Sequence, residues 1–247
     1  MKKAFLVLLF LMPFVNSYAQ KPIGAEVFDS MQARYNGKWH RNLTFVQKTE
    51  QYAYEQVNST QTWYEAIQFP GNLRIDIGDT KNGNIVLFHN DSLFKYQNDS
   101  NIYARGDRNS LVFLLGGMYF YPPETAKKRL AGYGYNLQKA FETKMNGRAV
   151  YVIGADSVNE KTNQLWVDKE RLVVSRIVEY DGWFKLDFVF EDHKPYGNSW
   201  VETKVTIYQD NKKAQVEYYN NIRVNEPIDA RLFDPRQLKQ ANHWYKD

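Results

Sequence analysis

The stretch Phe184-Lys-Leu-Asp-Phe-Val-Phe-Glu191 sets Phe184, Leu186, Phe188 and Phe190 on one side of an extended chain. Lys185, Asp187 and Glu191 fall on the other. Side chains alternate faces along a strand, so a period of two describes a ribbon with one dry and one wet face. Val201, Val205 and Ile207 repeat the pattern against Glu202, Lys204 and Thr206. Turn-forming clusters punctuate the chain at Asp79-Thr-Lys-Asn-Gly83, Asn90-Asp91, Asn98-Asp-Ser100, Asn146-Gly147, Asp168-Lys-Glu-Arg171, Asp181-Gly182, Pro195-Tyr-Gly-Asn198 and Asp210-Asn211. Asn146-Gly147 is the strongest, because both residues tolerate the positive φ of a tight hairpin. With these turns as boundaries, Leu43 to Arg223 divides into roughly eleven to thirteen strands. About eight strands already close a barrel filled by its own side chains, so a larger sheet needs a helix, a ligand or both inside.

Ahead of the strands, Gly24 to Asn36 carries Val27, Phe28, Met31 and Tyr35 on one helical face, and Asn36-Gly37 supplies a stop. One segment interrupts the strands. Leu111-Val-Phe-Leu-Leu-Gly-Gly-Met-Tyr-Phe-Tyr121 has no charge, ends at Pro122-Pro123, and precedes a short charged helix from Glu124 to Leu130. Three roles suit it: an apolar lid or plug over the mouth of a barrel, an ordinary buried helix or strand, or a segment that dips into a membrane surface. Gly116-Gly117 places a soft point in its middle.

The N-terminus reads as an address. Lys2-Lys3 precedes an apolar run from Ala4 to Val15, and Ser17-Tyr-Ala19 offers small residues for cleavage before Gln20. This is a secretory signal peptide over residues 1–19, too short an apolar run for a spanning helix, with 20–247 as a single domain. The absence of cysteine excludes disulfides and thiolate chemistry, and export without disulfides suits a bacterial periplasm. In that setting the sequons at Asn42 and Asn58 are chance matches. The net charge of +4 argues against a nucleic-acid partner.

Catalytic patterns are missing from the sequence. His40, His89, His193 and His243 lack metal-ligand spacing, so no metal is expected. There is no G-x-S-x-G elbow, P-loop or dinucleotide fingerprint, and no cofactor is expected. Asp and Glu on alternate strand positions read as solvated faces. The six tryptophans are dispersed, which suits core or barrel lining.

Five stretches, in order, resemble the periplasmic lipoprotein carrier of the outer-membrane lipoprotein-sorting system and its LolA/LolB-like superfamily. They are Phe45-Val-Gln-Lys48, Phe69-Pro-Gly-Asn-Leu-Arg74, Asn84 to Tyr96, Gln164-Leu-Trp-Val-Asp-Lys-Glu-Arg-Leu172, and Asn225-Glu-Pro-Ile-Asp-Ala-Arg-Leu-Phe-Asp-Pro235. The resemblance implies a mainly β (α+β) fold: a half-open antiparallel barrel of about eleven or more strands, an N-terminal helix and short lid helices. It also implies a non-enzymatic carrier or binder of lipid or lipoprotein acyl chains, with donor or acceptor proteins at the inner or outer membrane and transient contact with a membrane surface. In the carrier an arginine before the proline contacts the lid helices, whereas Phe69 stands there in this chain. An envelope-sensing or protein-interaction module is the alternative on the same fold.

The expected ligand-binding residues are apolar positions on the strands and in the lid: Leu73, Ile75, Val86, Phe88, Leu111, Phe113, Leu114, Leu115, Met118, Phe184, Leu186 and Phe188. A one-residue error in register would invert the strand set.

Overall fold

The computed structural model describes residues 23–107 and 109–246. The expected signal peptide lies outside the described residues. The chain opens with helix α1 (Gly24–Tyr35), followed by strands β1 (Asn42–Ala53), β2 (Gln56–Gln68), β3 (Asn72–Ile77), β4 (Ile85–His89), β5 (Ser92–Gln97) and β6 (Ser100–Gly106). The interrupting segment folds as helix α2 (Ser110–Leu114) and a 3-10 turn at Gly117–Phe120, and α3 (Pro123–Gly132) follows. Strands resume with β7 (Ala140–Met145), β8 (Arg148–Ile153), β9 (Gln164–Asp168), β10 (Val174–Asp181) and β11 (Phe184–Glu191). The small hairpin β12 (Lys194–Tyr196) and β13 (Ser199–Val201) precedes β14 (Lys204–Gln209) and β15 (Lys212–Val224).

Thirteen strands form one sheet in the order β6-β5-β4-β3-β2-β1-β15-β14-β11-β10-β9-β8-β7. Neighbours are antiparallel throughout, and β15 against β1 joins the two meanders. The sheet does not close on itself, with β6 and β7 as its edges. Asn146 and Gly147 turn the β7–β8 hairpin with φ of 49° and 78°. Asn90-Asp91, Asn98-Asp99 and Asp210-Asn211 also take positive φ at both residues, as two-residue hairpins of this twist require.

One face of the sheet packs the helices. Val27, Phe28, Met31 and Tyr35 of α1 are buried there with Ile177, Phe188, Phe190 and Val205 from the strands. Each such side chain contributes about 1.5–3 kcal/mol by leaving water. The opposite face of β11 carries Asp187, whose carboxylate takes two hydrogen bonds from Arg176 at 2.7 and 2.6 Å.

Residues 225–246 cross that opposite face over β2–β5. Leu232 and Phe233 bury Ala66, Ile85 and Leu87. Asn225 pins the start of this strap: its Oδ1 accepts from the Arg41 amide at 2.7 Å and its own amide donates to the Asn42 carbonyl. Beneath the strap, Arg74 donates twice to Asp76, each at 2.7 Å, and His243 reaches the same carboxylate at 3.2 Å.

Candidate functional site

The short helix α2 sits where the sequence changes from polar strands to an uncharged run. Asn109 caps it by accepting from the Val112 amide. Val112, Phe113, Leu114, Met118 and Tyr119 are buried against α1 and the sheet. Gln32 of α1 holds the segment by donating to the Met118 carbonyl at 2.9 Å. Gly116 and Gly117 serve close approach: a Cβ on Gly116 would meet Trp39 Nε1 at 2.4 Å and the Phe69 ring at 2.6 Å, and one on Gly117 would meet the Pro70 carbonyl oxygen at 2.4 Å. Phe69 stacks on Phe120 with ring centroids 5.9 Å apart and planes within 11°. An aromatic contact therefore occupies the position where the carrier has its arginine.

Next to α2 lies a cavity of about 130 Å³. Leu111, Val112 and Leu115 form its roof, and Ile67, Phe69 and Ile75 form one wall. Phe45 and Tyr219 stack at 4.1 Å along another, with Trp63 and Trp200 completing the aromatic lining. Three carboxyl groups, Glu65, Glu202 and Glu217, share this space, and no lysine or arginine lines it.

The phase of the strands puts two of those acids inside. Glu65 stands opposite Phe45 on β2, in step with Trp63 and Ile67. Glu217 stands in step with Tyr219 on β15. Gln215 Nε2 and Tyr219 Oη donate to the Glu217 carboxylate at 2.6 and 2.8 Å. Burial nevertheless holds Glu217 above the usual carboxylate range. Glu65 is raised well above that range by burial first, then by the charges of Glu217 and Glu202. Half-buried Glu202 is pushed up to about 7 by burial, with Glu217 adding to the shift. Burial pushes the His40 imidazole down to about 4, so it is neutral. The expectation of purely solvated acidic faces is overturned here: the apolar phase of β2 and β15 turns Glu65 and Glu217 inward.

The structure brings most of the sequence-derived residues to the helix-bearing face. Leu73, Phe113, Leu114, Met118 and Phe188 are buried in its core, and Ile75, Phe88, Leu111, Leu115 and Leu186 pack against that core. Val86, opposite Ile75, and Phe184 are half-buried outside that packed set. Only Ile75, Leu111 and Leu115 of the twelve line the cavity. Phe113, Leu114 and Met118 fill the interior instead. The acids, His40 and Tyr219 were not anticipated, whereas Trp63 and Trp200 take the lining role expected of the tryptophans. The sequence signal of the acids is a polar residue in the apolar phase, as in Trp63-x-Glu65-x-Ile67.

A second hollow gathers His193 with Asp168, Glu191, Asp192 and Ser175. Its groups are engaged elsewhere. His193 Nε2 meets the Val174 carbonyl at 3.0 Å, and Ser175 donates to the Trp166 carbonyl. Asp168 accepts from Arg148 and from the amides of Glu170 and Arg171. Neither bond joins Ser175 to His193. No cluster of three or more metal-ligating side chains occurs among the described residues, nor is any helix there long and apolar enough to cross a membrane.

No family model matches the chain. No curated protein matches it either. Solved structures do. A DUF1329 family protein from Desulfovibrio piger ATCC 29098 aligns with a TM-score of 0.57 at 14% identity, over 85% of this chain and 95% of its own. A putative outer membrane lipoprotein-sorting protein domain from Vibrio parahaemolyticus aligns at 0.55 and 15% identity, over 87% and 98%. A LolA superfamily protein from Nitrosomonas europaea aligns at 0.54 and 11% identity, over 86% and 97%. Identities this low carry the architecture rather than the activity, and the architecture is plain: the chain has a LolA-like fold.

Proposed function

We propose that the chain is a non-enzymatic carrier or binder of lipid or lipoprotein acyl chains, working in the periplasm after removal of residues 1–19. In this reading 20–247 is one half-open barrel, and the ligand enters between the lid and the helix-bearing face. The observation that carries it is the mainly apolar cavity lined by Leu111, Val112 and Leu115 next to the Phe69–Phe120 stack. The shared fold with a lipoprotein-sorting domain supports it. At about 130 Å³ the cavity is smaller than the ~300–1,000 Å³ of ordinary ligand pockets, so an acyl chain must displace side chains of the lid.

Transient membrane contact is supported by two aromatics at one end of the sheet. Tyr54, at the β1–β2 tip, is 101% exposed, and Trp183, at the β10–β11 tip, is 94% exposed. The β14–β15 tip lies between them, with Lys212 and Lys213 near Glu55. Exposed aromatics among mixed charges suit a headgroup layer. Donor and acceptor proteins in the two membranes would be met from this end.

The small volume of the cavity also favours a second reading, an envelope-sensing or protein-interaction module whose interior stays filled. The discriminating experiment is native mass spectrometry of the chain exported to a bacterial periplasm, followed by solvent extraction. A stoichiometric phospholipid, fatty acid or acylated peptide is expected. A bare mass with no uptake of added lipid would overturn the carrier reading and leave the module.

A further inference from the structure

Two polar groups of the cavity, His40 and Glu65, have hydrogen-bonding capacity left unmet, while Glu217 is held by Gln215 and Tyr219. His40 is 3% exposed, and its Nδ1 lies 2.8 Å from Ser199 Oγ. Ser199 spends its only proton on the Tyr196 carbonyl at 2.8 Å, so its oxygen must accept from His40 Nδ1–H. A neutral imidazole then leaves Nε2 as a bare lone pair, and that atom is buried with no partner. Glu65 is 7% exposed and meets no hydrogen-bond donor or cation among the described residues. Buried acceptors in this state are costly unless a donor reaches them.

The complement of such a site is a donor-rich cation. The carboxyls and the imidazole lone pair call for N–H groups, and Trp63, Trp200, Phe45 and Tyr219 offer faces that attract a positive charge. A fatty-acid carboxylate finds no lysine or arginine to pair with in this space.

We propose that the pocket formed by His40, Glu65, Glu202 and Glu217 beneath the lid is a headgroup site for a primary ammonium carried by an amphiphile. The site rests on the acyl-binding reading: the alkyl chain displaces the lid side chains and the ammonium anchors among the acids. Every titratable group facing the ligand is an acid, a phenol or the neutral His40, and the lid contributes only Leu111, Val112 and Leu115. Protonated carboxyls must release protons when the cation enters, so affinity rises with pH.

The test is calorimetric titration of the full mature chain with dodecylammonium, dodecanol and dodecanoate, each below its micelle concentration, and with 1,4-diaminobutane. At about pH 8, above the Glu202 value of about 7, dodecylammonium is expected to bind about tenfold or more tighter than dodecanol. The preference should shrink at about pH 6, and Glu65→Gln or Glu202→Gln should bring the two affinities together. The binding heat should vary with the ionisation heat of the buffer, reporting proton release. Equal affinities for the three dodecyl compounds would overturn the ammonium site while sparing the acyl reading. No binding by any dodecyl compound would sink the acyl reading. Diaminobutane binding as tightly as dodecylammonium would make the occupant a free amine and overturn the amphiphile.

Discussion

Gly116→Ala is expected to weaken the fold and tighten ligand binding at once. Gly116 is buried between the Trp39 and Phe69 rings. The alanine methyl group would lie 2.4 Å from Trp39 Nε1 and 2.6–2.8 Å from the Phe69 ring, with both partners outside the lid. Both rings are themselves buried, at 8% exposure each, so neither moves freely. Overpacking of this kind costs about 1–3 kcal/mol. The cost falls on the closed lid and vanishes when the lid leaves. If the acyl chain binds only the open form, apparent affinity scales with the open fraction, so the same energy raises it about 5- to about 150-fold. Urea unfolding reads the first effect, and calorimetric titration with dodecanol reads the second. Lost stability with unchanged or weaker binding would refute lid displacement, because the closed form would then be the binding form. Unchanged stability would refute the clash itself.

Asp76→Asn leaves the Arg74 guanidinium buried at 6% side-chain exposure without its charge partner, and should cost about 3–5 kcal/mol in urea unfolding. A loss under about 1 kcal/mol would mean the pair is relaxed by water. The raised carboxyls Glu65, Glu202 and Glu217 hold protons in the folded chain that the unfolded chain has released. Their stabilising share is full below the unfolded value near ~4.3 and is lost as pH rises through the folded values, about 7 for Glu202. Asp76, Asp168 and Asp187 are lowered, so their share is present above ~3.9 and lost on acidification. The urea midpoint of the empty protein should therefore decline from about pH 5 to about pH 8, and Glu202→Gln should flatten that limb. A flat wild-type profile contradicts the buried cluster. The double variant Tyr54→Ser, Trp183→Ser should lower sedimentation with lipid vesicles while leaving the unfolding midpoint in place; unchanged sedimentation removes that end of the sheet from membrane contact.

The strand pattern was legible because one face of each ribbon is dry. Phe184 to Phe190 and the Asn-Gly, Asn-Asp and Asp-Asn turns carry the meander, and Val27, Phe28, Met31 and Tyr35 carry α1. The β1–β2 turn was not legible. It is made by Tyr54 and Glu55 at φ of 51° and 62°, a conformation these residues rarely supply. Long pairing of β1 with β2, from Asn42–Gln68 to Ala53–Gln56, imposes it. The inward acids were hidden for a related reason. A glutamate in a strand reads as solvent-facing, and only register against Phe45 and Thr49 reveals that Glu65 and Glu217 share the dry face. Trp183 departs from the expected core role of the tryptophans because a hairpin tip, not a strand, holds it.

The departure at Phe69 bears on how such a lid can open. A polar latch is released by a competing donor or acceptor, whereas the Phe69–Phe120 stack and the plug beside it are released by another apolar occupant. Phe113, Leu114 and Met118 are at most 2% exposed, and together they gain about 5–9 kcal/mol from burial. A dodecyl chain gains about 9 kcal/mol at ~0.8 per CH₂. In the carrier reading the two occupants are nearly matched, so a chain of this length would exchange with the plug at little net cost. Shorter chains should fail to displace the plug, and longer ones should hold it open. An ammonium anchored among Glu65, Glu202 and Glu217 would add to the ligand side without touching the plug. Chain length would then set whether the lid yields, and the headgroup would set which amphiphile makes it yield.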